Sequence, residues 1–134
     1  NIFKKAVLAA STGRLVIASL NAASVWEVLL KILKTKLPLK LKLDGVKMIS
    51  NQRIVALKTS VSKSSKTRPS IGLFEILDLN PEIKKFILEE GAKVKKDHFW
   101  EKLSRLALKH GFQPLQQDLQ KKIRDGLVSK EERF

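Results

Sequence analysis

Apolar residues recur along the chain at two spacings, one suited to helices and one to strands. Residues Phe3 to Ala10 are alanine-rich and favour a helix, which Ser11, Thr12 and Gly13 stop. After Arg14, the apolar run from Leu15 to Leu20 is bounded by turn residues. It predicts a buried strand covered on both faces, as in a parallel sheet. Ser24, with Glu27 three residues on, forms a capping box ahead of a second helix. Val25, Val28, Leu29, Ile32 and Leu33 give that helix one apolar stripe. Helix, buried strand, helix is the rhythm of an α/β domain.

Residues 37–50 carry two competing patterns. Leu37, Leu39, Leu41 and Leu43 alternate with Pro or Lys, as in a strand. Pro38 at a helix start, with Leu39, Leu43, Val46 and Ile49 behind it, reads as a helix instead, and Gly45 weakens either element. Ile71 to Leu77 predicts a strand. Asn80 then caps a helix with Pro81 in its first position, an apolar face of Ile83, Phe86 and Ile87, and Gly91 at its end. Residues 94–110 form an amphipathic helix through Phe99, Trp100, Leu103, Leu106 and Ala107, whose aromatics are expected in the core.

The last stretch reads as helix, glycine stop, helix, glycine stop and a capped final turn. Gly111 and Gly126 each follow a basic last turn, Pro114 suits a first helical position, and Leu115, Leu119 and Ile123 share a face. Ser129 with Glu132 is a second capping box.

Composition narrows the classes. A chain of 134 residues, 43% hydrophobic, suits one domain with an ordinary core. No run approaches the ~20 apolar residues of a spanning helix, and the start lacks the pattern of a signal peptide. Asn1 in place of a starting Met suggests a piece of something longer. The absence of cysteine excludes disulfides and thiolate metal sites and fits a reducing cytoplasm. His98 and His110 are too few for an all-protein zinc site. The charge is +14, and it is uneven: residues 1–70 hold 14 basic and 2 acidic groups (+12), residues 71–134 hold 13 and 11 (+2). Such asymmetry marks either a face for nucleic acid, anionic lipid or an acidic partner, or a solvated lysine-rich surface.

Gly111-Phe112, Leu115, Asp118, Lys122-Ile123, Gly126 and Ser129 followed by Glu131-Glu132 resemble the C-terminal end of the hexameric assembly ATPases of type II secretion and type IV pili. The likeness is colinear over nearly the whole chain. Ala9 to Arg14 and Leu15 to Asn21 occupy the place of the family's Ala-rich helix ending in Thr-Gly-His and strand ending in Leu-His. Asn51 to Val55 resembles its Gln-Arg-Leu-Val strand, and Gly72 to Leu77 its Gly-hydrophobic-aromatic-Glu-hydrophobic-Leu strand, with Pro69-Ser70 where Gly-Arg is usual. The resemblance also favours the helix over the strand within residues 37–50, beginning at the proline and running into the next strand.

The resemblance implies an α/β fold: a partial P-loop ATPase (recombinase-like) core with mostly parallel strands over residues 1–79, then a helical C-terminal subdomain over 80–134. It implies that Arg14, Asn21, Gln52 and Arg53 lie near a nucleotide. Arg14 and Asn21 replace both histidines of the family's histidine box, thought to sense or position the γ-phosphate. Asn keeps a neutral hydrogen bond without titrating, and Arg is a permanent cation, so weakened or lost catalysis is expected. Where many members carry paired Cys-x-x-Cys zinc motifs, Lys58 to Ser70 is a Ser/Lys loop without a metal ligand, expected to be mobile.

The chain has no G-x-x-x-x-G-K-[ST] phosphate loop and no strand ending in a magnesium-holding acidic pair. No catalytic residue is therefore assigned, and the chain alone is expected not to hydrolyse ATP. ATP and magnesium enter only with an upstream half, whose missing strands would leave a sheet edge and apolar faces uncovered. The implied role is subunit contact and force transmission in a cytoplasmic homo-hexamer, including one peripheral at the inner membrane on its platform proteins. The alternative reading is a small basic binding module for nucleic acid or an anionic membrane. It stands on charge alone: residues 4–70 hold no aromatic except Trp26, and no helix-turn-helix or zinc-finger spacing occurs.

Overall fold

The computed structural model describes residues 2–58 and 69–132. In chain order they form α1 (Ile2–Ser11), α2 (Val25–Leu33), α3 (Leu39–Gly45), β1 (Met48–Ala56), β2 (Ser70–Asp78), α4 (Pro81–Glu90), α5 (Asp97–Lys109) and α6 (Leu115–Arg124), with a 3₁₀ turn at Gly91–Lys93. Residues 59–68, most of the Ser/Lys loop, lie outside the described residues.

Local chemistry sets the helix ends. Ser24 Oγ accepts the Glu27 N–H at 3.2 Å. The Glu27 carboxylate accepts the Ala23 N–H at 2.7 Å, one residue outside the reciprocal bond of a standard capping box. Asn80 Oδ1 accepts the Ile83 N–H at 2.9 Å, with Pro81 opening α4. Within residues 37–50, Leu39–Gly45 is helix and Met48 onward is already β1, so Ile49 belongs to the strand; turning at α3 buries Leu43 and carries Lys42 to the end of α2. Its ammonium donates to the carbonyl of Leu33 (2.7 Å), the last residue of α2, and to that of Thr35 (3.1 Å) just beyond it. α5 starts later than its periodicity suggests, because the 3₁₀ turn continues through Val94 and Lys96 and Trp100 Nε1 bonds the Val94 carbonyl at 2.9 Å. Gly111 (φ +87°) and Gly126 (φ +73°) close α5 and α6 in the left-handed region. Ser129 closes a turn, its carbonyl accepting the Glu132 N–H at 3.2 Å, and opens no helix among the described residues.

The described sheet is a two-stranded antiparallel pair, Met48 opposite Asp78 through Ala56 opposite Ser70. This corrects the expectation of mostly parallel strands. The partners run in opposite directions, with Met48 and Asp78 paired at one end and Ala56 and Ser70 at the other. The second correction is Leu15 to Leu20. The segment forms neither strand nor helix, and Leu15 and Ile17 are each 91% exposed. A strand needs a ladder partner, and none of the described residues offers one. The fold is mixed helix and sheet, α/β in the loose sense.

Strand periodicity divides the sheet into two faces. Ile49, Val55, Leu73 and Leu77 point inward and are buried, whereas Met48, Ile54, Phe74 and Ile76 on the other face are exposed. The main core joins α2, α3, α4 and α5 to this inner face and centres on Phe99, which stacks on Phe86 at 5.5 Å and meets Trp100 edge-on at 5.1 Å. Burying such a side chain contributes about 1.5–3 kcal/mol. Trp26 packs edge-on against Phe112 at 5.1 Å, so the aromatics belong to the core as their periodicity suggests. A smaller cluster sets Leu115, Leu119 and Val128 against Val55 and Leu73.

Candidate functional site

Two buried carboxylates organise the sheet, one on its inner face and one at its edge. Glu75, in the middle of β2, alternates with Leu73 and Leu77 and so faces the core. Its Oε1 accepts the Val25 N–H at 2.8 Å and the Asn51 side-chain amide at 3.1 Å. The same amide donates to the Ala23 carbonyl at 3.0 Å. A carboxylate thus sits at the first N–H of α2, where the helix dipole favours negative charge. Residues 23–25 are thereby fastened to the centre of the sheet.

The second carboxylate works at the strand edge. Leu57 and Leu79 donate across the hairpin to Pro69 and Lys47, so the odd-numbered residues make the ladder bonds. The N–H of Phe74 therefore points away from β1, and Asp118 on α6 accepts it at 2.9 Å. Lys122, one turn on, donates to the same oxygen. Burial pushes the Asp118 carboxyl up, but the Lys122 ammonium and the Phe74 N–H together outweigh it and hold the group below the usual carboxylate range. Ile76 makes a bridge to Gln113 on the same edge. An open cleft of about 370 Å³ lies there, lined by Phe74, Ile76, Phe112, Asp78, His110 and Lys122 among others.

The residues implied to lie near a nucleotide fall on separate parts of the fold. Asn21 lies two residues before Ala23, which is held by Asn51, and Arg53 shares the strand face of Asn51. Asn21 is exposed, and its backbone carbonyl accepts the Lys31 ammonium. Arg14 is exposed at the start of the irregular segment that runs to Leu20. Gln52 points to the opposite face of the sheet, where a β-carbon placed on Gly72 would lie 3.1 Å from its Nε2 and 2.9 Å from the Phe74 ring. Glycine at 72 is what lets that ring lie over the strand.

Sequence reasoning missed the buried roles of Glu75 and Asp118. The signal for Glu75 was present: an acid on the same strand parity as Leu73 and Leu77. For Asp118 it was the position three residues from Leu115 and one from Leu119, on the buried side of α6. No group of three or more metal-ligating side chains occurs among the described residues, and no described helix is long and apolar enough to cross a membrane. No protein-family model matches the chain, and no curated protein matches it.

Proposed function

We propose that this chain is the C-terminal part of a type II secretion or type IV pilus assembly ATPase, with a degenerate histidine box. Its role is subunit contact and force transmission in a cytoplasmic hexamer on inner-membrane platform proteins. Chemistry, with ATP and magnesium, belongs to the upstream half of the domain, where the P-loop sheet of that fold would be completed.

One observation carries the reading. Three stretches that resemble the family separately meet through adjacent residues: Asn51 of the Gln-Arg strand bonds Glu75, and Asp118 of the C-terminal stretch bonds Phe74. Phe74 and Glu75 are the aromatic-Glu pair of the remaining stretch. Residues that matter for one shared structure would be expected to touch. The exposed Leu15 to Leu20 run supports the reading too, since its strand partners in that fold are upstream.

The test is the intact mass of the native gene product, followed by ATPase and sizing assays on it. The reading expects a product of several hundred residues with a phosphate loop upstream, hexameric assembly, and a loss of assembly on deleting residues 111–134. It fails if this chain alone hydrolyses ATP, or if the product carries no phosphate loop.

A further inference from the structure

The C-terminal end of α2 and the start of α3 form a basic turn on a fixed frame. Lys34 is the C-cap of α2, Lys36 follows it, and Lys40 lies in the first turn of α3. All three are exposed, and none has an ion-pair partner among the described residues. Between Val28 and Leu43 there are five lysines and no acid.

The frame beneath them is tied at several points. Buried Lys42 bonds the carbonyls of Leu33 and Thr35, Thr35 Oγ1 donates to the Ile32 carbonyl at 2.7 Å, and the Leu37 N–H donates to Thr35 at 2.9 Å. The backbone that displays Lys34 and Lys36 therefore needs little ordering when it binds. Half-buried Leu37 and Leu41 and exposed Pro38 lie between the lysines.

We propose that this turn, residues 34–41, is a docking surface for a bilayer containing anionic phospholipid. Charge complementarity names the partner. Unneutralised ammonium groups beside short apolar side chains fit a layer of negative headgroups with an apolar boundary just beneath it. Nucleic acid fits less well. Residues 27–47 contain no arginine for bidentate contacts and no aromatic side chain for stacking on bases. The proposal stands on charge and geometry at this turn and is independent of the ATPase reading.

The experiment is co-sedimentation of the chain with vesicles of phosphatidylcholine alone and of phosphatidylcholine mixed with phosphatidylglycerol, at low and high salt. Binding is expected only to the mixed vesicles and should weaken with salt. The triple variant Lys34→Gln, Lys36→Gln, Lys40→Gln should lose binding roughly a hundredfold, at about fivefold per lysine. The control triple Lys95→Gln, Lys109→Gln, Lys121→Gln removes the same charge from exposed positions elsewhere and should bind nearly as the parent does. Circular dichroism checks that both triples fold. Absence of binding to mixed vesicles, equal loss in the two triples, or tighter binding to a single-stranded oligonucleotide than to vesicles each overturns the proposal.

Discussion

Asp118 on α6 accepts the backbone N–H of Phe74 on β2 across 44 residues of chain. The bond closes the outer edge of a two-stranded sheet, which would otherwise present that donor without a partner. With Lys122 on the same oxygen, it also fixes the rotation of α6, so that Leu115 and Leu119 face Leu73. Replacing Asp118 by Ala removes the acceptor and strands a largely buried ammonium, for an expected loss of about 2–3 kcal/mol. Asp118→Asn keeps an oxygen for Phe74 and loses only the ion pair, for about 1 kcal/mol. Urea unfolding with an unchanged m-value measures both, and equal losses for Ala and Asn would refute the edge role.

The same carboxyl sets part of the acid limb of stability. Its folded pKa lies below the unfolded value of about 3.9, so its stabilisation is complete above that value. It is lost as pH falls through the lower folded pKa. Glu27 is lowered too, mainly by the Ala23 N–H and then Lys31, and Glu90 by Lys93. Both belong to half-exposed surface pairs and should be screened by salt. In high salt, stability from pH 5 down should therefore fall less steeply for Asp118→Asn than for the parent. Superimposable acid limbs would rule this out.

Glu75 holds α2 to the sheet through Val25 and Asn51. Glu75→Ala leaves a buried N–H and an amide without their acceptor, at an expected cost of about 1–3 kcal/mol. Glu75→Gln retains an accepting oxygen and should lose less than about 1 kcal/mol. Hydrogen exchange at the Val25 amide reads the bond directly: it should quicken strongly in the Ala variant and only slightly in the Gln variant. A Gln variant as damaged as the Ala variant would point to the charge itself, not to the accepted hydrogen bond.

Most helices were legible because their signals are local. Ser24, Asn80, Pro81, Gly111 and Gly126 mark ends by chemistry within a few residues. The stripe from Val25 to Leu33 names its own buried face. Residues 37–50 were legible only in part, because leucine at every second position satisfies both periods until Lys42 finds the end of α2. Leu15 to Leu20 was misread for a non-local reason: an apolar run records what a segment favours, and pairing depends on a partner elsewhere. The Phe74–Asp118 and Asn51–Glu75 bonds were invisible to periodicity, since they join residues 44 and 24 apart.

Glycines at different positions should respond to alanine for different reasons. At Gly111 and Gly126 a β-carbon meets nothing within 4 Å, yet the positive φ makes alanine cost about 1 kcal/mol. At Gly45, by contrast, the backbone is helical and alanine would gain up to about 1 kcal/mol in propensity. Its β-carbon would lie 3.1 Å from both Val7 Cγ1 and the Val7 carbonyl oxygen, pressing α1 away from α3. A net loss is expected at Gly45, and Val7→Ala should not rescue it because the carbonyl remains. Thermal unfolding of Gly45→Ala alone and with Val7→Ala decides; a rescued double variant would locate the clash at the side chain.

Ile17 is the sharpest contrast between the sequence pattern and the fold. As a buried strand residue it would cost several kcal/mol when replaced by serine, through lost transfer energy and an unfilled cavity. At 91% exposure it has almost nothing to lose, and Ile17→Ser should change unfolding free energy by no more than about 0.5 kcal/mol. Leu15→Ser should behave alike. The expected effect is on self-association: with Leu15 and Ile17 both polar, light scattering at high protein concentration should fall, because an exposed apolar segment is what a second chain could pair with. If the upstream part of an ATPase domain covers this segment, the same double substitution made in the longer gene product should be strongly destabilising. Indifference in both contexts would remove the segment from any sheet, and with it one support for the ATPase reading.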